Sequence, residues 1–279
     1  MTERLADVSA RITGIRQLGA VVNAMKGIAA ARAHVARKQI DAIDSYAALI
    51  ARAMSSILSS DISEKSTQKQ ENPVIGRTGL LVFCAEQGFA GAFSERVLDS
   101  IEDDLEKTQL FLIGTRGLSV AVSRGVTPFW TAPMSSHTPA IPKLADKITK
   151  AIYRGVDEDN LESLDVIFAS WKSGRPHVRR QPLFPIDLSE FPPDTSNQPL
   201  TQLPAQTLIA DLSADYFHAQ VCKAALHAFT AENEARMGAM SAAGSQIDHE
   251  LRVFQATLRR VRQEAITEEI IELGAGLMD

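Results

Sequence analysis

At 279 residues and 45% apolar side chains, the chain is long enough to bury one large core or two ordinary ones. A formal charge of -5, with no block of like charge, excludes a nucleic-acid-binding arm; no apolar run reaches membrane-spanning length, so no direct membrane insertion is expected. The start MTERLADVSA is neither a signal peptide nor a transit peptide, and Cys84 and Cys222, far apart and without ligand spacing, read as reduced, buried residues of a cytosolic protein.

Residues 1–59 read as one long helix. Apolar residues recur at alternating steps of three and four from Leu5, Val8, Ile12 and Ile15, through Ala29, Ala33 and Ala36, to Ile50, Met54 and Ile57. Only Gly19 and Lys26 break the stripe. That is the seam of a coiled coil, sustained well beyond what a helix lying on a globular core needs. The alanine-rich middle allows a close helix partner, while Gly14, Gly19 and Gly27 each cost a helix interior roughly 1 kcal/mol and so call for a reason.

Residues 60–76 turn polar and lose periodicity, as a linker does. Residues 77–205 then alternate strands and helices. Strands are predicted at 79–84, 109–113, 126–130 and 165–171, with helices at 90–107, 116–124 and 139–154 between them. Residues 178–185 are predicted to return antiparallel to 165–171 through the turn at 172–176. This is the order of an α/β domain with a largely parallel sheet. A proline-rich loop leads to a second long helix at 206–279, ~100 Å long if unbroken. Its own three-and-four stripe runs through Met237, Met240, Gly244, Ile247, Leu251, Phe254, Leu258, Val261 and Ala265. A helix of this length needs a partner along its seam. The two ends of the chain supply it, and their charge favours the pairing: residues 1–58 carry eight Lys/Arg against four Asp/Glu, residues 207–279 six against eleven. The expected fold class is α/β: a long antiparallel two-helix coiled coil with an inserted α/β domain.

Chemistry is harder to find. The turn Glu86, Gln87, Gly88, Phe89, Ala90, Gly91, Ala92 sits where a strand gives way to a helix and could offer amides to an anion, but it lacks the third glycine and the ribose-binding acid of a dinucleotide site. The turn at 114–117 has the same weakness, and no phosphate loop occurs. Six scattered histidines show no metal-ligand spacing, and no nucleophile elbow or Cys/His dyad is present. No catalytic residue, cofactor or metal is expected. The polar residues that stand out lie on the two helices: Lys26 inside an apolar stripe, Arg236 beside two methionines, and Arg259, Arg260, Arg262 and Gln263. Three readings stay open for them: control of coiled-coil register, exposed flanks of the helices, and contact with an external partner.

Longer runs carry a resemblance. Residues 11–16 (RITGIR) and 24–30 (AMKGIAA), then 232–240 (ENEARMGAM) and 260–269 (RVRQEAITEE), resemble signature stretches of the γ subunit of F-type ATP synthases. Glu86 to Ala92 and Ile113 to Gly117 resemble two turns of the same family. The resemblance implies a non-catalytic central shaft, its coiled coil inside a sleeve of three α and three β subunits and its insert fastened to the ε subunit and the c-ring. It implies that Met25, Lys26 and Arg236 lie near the acidic C-terminal region of β, and that Arg262, Gln263, Thr267 and Glu269 meet loops of β and α. It also places the chain peripherally on the cytoplasmic face of a bacterial inner membrane. Departures occur at 17–23 (QLGAVVN), where two basic residues are lost, and at Gly27 and Glu264, as in a divergent bacterial member. The alternatives are a stand-alone nucleotide-binding α/β protein and a coiled-coil adaptor of another complex.

Overall fold

In a computed structural model, residues 2–61, 77–191 and 200–275 are described. The expected linker at 60–76 lies outside them from residue 62 onward, as do residues 192–199 and the end of the chain past Ala275. The two long helices are α1 (Thr2–Asp61) and α5 (Ala205–Ala275). Between them lie β1 (Arg77–Phe83), α2 (Phe93–Asp99), β2 (Gln109–Ile113), α3 (Thr115–Ser123), β3 (Trp130–Ala132), α4 (Ile141–Asp159), β4 (Leu161–Lys172) and β5 (Arg175–Phe184). Two compact units result. One joins α1 up to Ala30 with α5 from Arg236 onward; the other is Ala31–Ala235.

In the first unit the helices run antiparallel. Arg4 pairs with Glu264 at 3.9 Å, the Arg11 guanidinium lies 5.9 Å from the Phe254 ring centre, and Lys26 Nζ donates to Ser241 Oγ at 3.2 Å, so positions rise on one helix as they fall on the other. Val22, Met240 and Ile247 form the buried centre, with Ile15, Met25, Ala243 and Leu251 packed on it. Gly19 has its reason here: a Cβ would stand 3.3 Å from Ile247 Cγ2, so the glycine lets the helices approach. A Cβ at Gly14 or Gly27 would meet nothing within 4 Å, and nothing among the described residues explains those two.

The second unit is built on a five-stranded sheet in the order β3-β2-β1-β4-β5, parallel except for the β4–β5 hairpin. Both of its faces are buried, which is why its central strands read as unbroken apolar runs rather than alternating ones. Leu81, Phe83, Phe111, Ile113, Val166 and Phe168 face one core with α4, the middle of α5 and Ala36 of α1. Leu80, Val82, Cys84, Leu110, Leu112 and Ile167 face the other with α2, α3 and Ala231 of α5. Helix α4 presents Ile141, Leu144, Ala145, Ile148 and Ile152 to the sheet at steps of three and four.

Several boundaries differ from expectation. The helix predicted at 90–107 is confined to Phe93–Asp99, followed by a 3-10 turn at Glu102–Asp104, because Gly91 at φ +62° keeps the chain out of helix until residue 93. The strand predicted at 126–130 starts at Trp130, since Pro128 has no N–H to give and pairing opens with Phe129 N donating to Leu110 O. Helix α4 runs on to Asp159 and stops where Asn160 turns left-handed at φ +56°. The hairpin is longer than its apolar part. It turns through Ser173 and Gly174 at φ +52° and +75°, the two positive values a two-residue loop needs to match strand twist.

Candidate partner interface

An open sheet of this kind holds ligands beyond the carboxyl ends of its strands, where an anion can meet the amides of a helix N-terminus. Here that position is filled from within. The Glu86 carboxylate, just past β1, accepts from Thr115 N at 3.0 Å, Thr115 Oγ1 at 2.8 Å and Met134 N at 2.7 Å. Thr115 opens α3, so Glu86 does for that helix what a bound phosphate would do. The glycines of this region serve packing. Gly114, at φ +110°, lies against the Cys84 and Ala85 carbonyls, and a Cβ at Gly117 would fall 2.1 Å from Cys84 Cβ.

The loop from β1 to α2 is tied on its other side by α5, where Glu232 accepts from Gln87 N at 3.3 Å. Two residues past these ties Phe89, at φ +63°, holds its ring in solvent with 66% exposure. Burial, reinforced by the Glu232 charge, pushes the Cys84 thiol up to about 12, and burial, with Asp146, takes Cys222 to about 12 as well. Neither thiol is a nucleophile at neutral pH. Among the described residues, no group of three or more His, Cys, Asp or Glu could hold a metal ion, and no helix is long and apolar enough to cross a membrane.

The residues singled out on the helices fall into three settings. Met25 and Lys26 are half-buried and sit together, Met25 on the Val22–Met240 cluster and Lys26 bonded to Ser241. Arg236 is buried at 5% exposure. Arg262, Gln263, Thr267 and Glu269 are exposed on the last turns of α5, where Thr267 Oγ1 donates to the Gln263 carbonyl at 2.8 Å. The fold thus gathers the last four into one stretch and keeps them apart from Met25 and Lys26.

Sequence reasoning missed a second set. Large apolar side chains stand exposed on the first unit: Leu18, Val21 and Ile28 on α1, and Val253, Ile266, Ile270 and Ile271 on α5. The second unit exposes Val35, Tyr46 and Leu49 of α1. Those on α1 had a legible signal. Positions 18, 21, 25 and 28 repeat the three-and-four spacing one residue ahead of the seam at 19, 22, 26 and 29, a second stripe in which Met25 packs on the helix partner while Leu18, Val21 and Ile28 stay exposed. Several large apolar side chains left exposed along one helix are what a surface of association shows.

Comparison with known proteins agrees. A family model described as ATP synthase matches residues 4–278. The ATP synthase gamma chain of Bacteroides fragilis is 25% identical over 296 residues, covering 98% of this chain and 99% of the relative. That of Micrococcus luteus is 28% identical over 287 residues, covering 95% and 94%. Among solved structures, the rotor of the Euglena gracilis mitochondrial ATP synthase superposes with a TM-score of 0.68 at 13% identity, covering 95% of this chain and all of that one. The central stalk and c-ring structure from Tetrahymena thermophila gives 0.56 at 16% identity over 80% of this chain and 99% of that one. Two seamed helices around a parallel-sheet insert, a full-length family match and full-length curated relatives lead to one conclusion: the chain belongs to the γ-chain family of the ATP synthases.

Proposed function

We propose that the chain is the central-stalk rotor subunit of a membrane ATP synthase or ATPase, a non-catalytic part that couples rotation of a c-ring to catalysis at the β subunits. The large apolar side chains exposed on both helices of the first unit carry this reading, since a shaft surrounded by partners must show them a surface its own fold leaves uncovered. Three α and three β subunits form the sleeve, and the ε subunit and c-ring hold the foot. Residues 1–59 and 206–279 make the shaft and 77–205 the foot, joined through 60–76. Within the shaft, Arg262, Gln263, Thr267 and Glu269 contact α and β loops, as their exposure on α5 allows. Met25, Lys26 and Arg236 contact the acidic C-terminal region of β. The complex lies on the cytoplasmic face of a bacterial inner membrane, in keeping with the bacterial relatives.

The filled anion position weighs against a nucleotide-binding reading, because a phosphate would have to displace a carboxylate that already holds three donors. The test is ATP hydrolysis by the chain alone, by its cognate α and β subunits, and by the purified mixture. An inert chain that joins a complex of one to three to three and raises turnover supports the rotor reading. Hydrolysis by the chain alone refutes it.

A further inference from the structure

In the second unit α1 lies on α5 along a seam of small and branched apolar residues. Ala36, Ile40 and Ile43 share a core with Ala225 and Phe229 of α5, and Ala47 and Ile50 share one with Ala219. Seven residues bring a helix back to nearly the same face, so a slide of α1 by one heptad, about 10 Å, would present its seam to α5 again. Slid one way, the places at 36, 40, 43, 47 and 50 receive the seam residues from Ala29 to Ile43; slid the other way, those from Ile43 to Ile57. All of them are apolar. Side-chain size resists such a slide, but apolar character does not.

Two ion pairs cross this seam. Arg37 on α1 lies 3.2 Å from Glu234 Oε1 on α5, and Lys223 Nζ on α5 lies 2.9 Å from Asp44 Oδ1 on α1. Both carboxylate oxygens are buried and accept no well-aligned hydrogen bond, so a facing cation is what offsets their burial. The pairs have opposite polarity, and their α1 members stand seven residues apart. A slide of one heptad in one direction carries Arg37 to the place of Asp44, against Lys223. In the other direction it carries Asp44 to the place of Arg37, against Glu234. Either slide exchanges two attractions for one repulsion and one unpaired charge. With both cations on the same helix, each slide would instead recreate an attraction, so the alternation of sign is what makes the arrangement selective.

We infer that Arg37–Glu234 and Lys223–Asp44 form a two-way register lock, which holds α1 at one position along α5 in the second unit. The lock belongs to this chain alone and stands whether or not the chain turns within a complex. Its use is to fix which residues of α1 appear beside which residues of α5, an alignment that a slide of about 10 Å would scramble.

The test is the distance between spin labels on Lys38→Cys of α1 and Asp215→Cys of α5 in the full chain; both positions are exposed, and the native cysteines are buried. Exchanging the charges on α1 alone, Arg37→Asp with Asp44→Arg, keeps composition and net charge. It makes both native contacts repulsive and either slide attractive, so the labels should report a helix displaced by about 10 Å along its axis. Adding the matching exchange on α5, Lys223→Glu with Glu234→Lys, should bring the parent distance back. If the α1 exchange does not fold, Arg37→Gln with Asp44→Asn removes both pairs without adding a repulsion and should give a second distance beside the parent one. The parent distance alone in the α1 exchange, or in the neutral variant where that is the one that folds, would overturn the lock and leave two pairs that only stabilise. A displaced distance that the α5 exchange fails to reverse would overturn it as well.

Discussion

Gly117→Ala, a change of one methyl group, should be among the most damaging small substitutions in the insert. Gly117 lies in the first turn of α3, and an added Cβ would come within 2.1 Å of Cys84 Cβ and 2.9 Å of its Sγ. Carbon atoms in contact prefer about 3.5 to 4.0 Å. Both β-carbons are fixed to backbone, so no rotamer relieves the clash; α3 or β1 must shift by more than 1 Å in a core where Cys84 is 1% exposed. Overpacking of this kind costs about 1–3 kcal/mol, and the closeness of the contact puts it at the upper end. Against that stands up to about 1 kcal/mol of helix propensity gained on leaving glycine. A net loss of about 2 kcal/mol is expected, or roughly a 1 M drop in urea midpoint at a slope near 2 kcal/mol/M. Tryptophan fluorescence reads the right unit, because Trp130 and Trp171 both lie in its sheet. Cys84→Ala keeps the offending Cβ and should give no rescue. Cys84→Gly removes it, and in that background Gly117→Ala should become neutral or stabilising. A cost under about 0.5 kcal/mol in the parent, or an equal cost in both backgrounds, would refute the packing argument.

Ala36, fully buried where α1 meets the core of the insert, should not tolerate Leu; a loss of about 1–3 kcal/mol in the same urea assay is expected. Because burial raises both thiols to about 12, native chain should react with a thiol reagent at pH 8 only as fast as it opens, and fully once denatured. The raised value also sets a sign: the unfolded thiol ionises near 8.5 and the folded one does not, so stability is intact below that pH and falls above it. For Cys84 the slope is about 1.4 kcal/mol per pH unit, and Cys84→Ala should flatten it in alkaline urea melts. His227 works on the acid side. Burial holds its imidazole below the usual value, against the pull of Asp44, so stability present above about pH 6.5 is lost as pH falls. His227→Phe, keeping a ring against Phe168, should shrink the fall in Tm between about pH 7 and pH 5.

The seam was the most legible feature because a coiled coil writes its contacts as a local repeat: from Leu5 to Ile57, every residue of the α1 stripe is buried or half-buried. The central strands were legible for a related reason, since burial on both faces leaves continuous apolar runs such as Leu110 to Ile113. Their ends were not. The outer half of the β4–β5 hairpin is polar and partly exposed, so its alternation is lost among charges such as Arg175, Arg179 and Arg180. The burial of Arg236 is decided by what packs around it, which no local pattern records. The second stripe on α1 was missed because one seam already explained the helix, although Leu18, Val21, Met25 and Ile28 repeat the same spacing.

The turn at 86–92 shows why sequence alone left a nucleotide site open. A helix N-terminus favours negative charge whatever carries it, so a strand-to-helix turn rich in glycine and small residues suits a phosphate and a carboxylate alike. What separates the two outcomes is Glu86, placed three residues past the last residue of β1, where its reach ends on the first amide of α3. Once Thr115 N, Thr115 Oγ1 and Met134 N have all donated to it, a ligand phosphate could gain those donors only by expelling a tethered carboxylate into solvent, and the tether makes the return of that carboxylate fast. The same bonds cross-link β1, α3 and the chain after β3 at the carboxyl edge of the sheet. An edge that is a binding cleft in other folds of this class is here a brace beneath the loop that carries Phe89. What this turn contributes is stiffness at the carboxyl edge of the sheet, where a carboxylate of the chain itself holds the donors a phosphate would need.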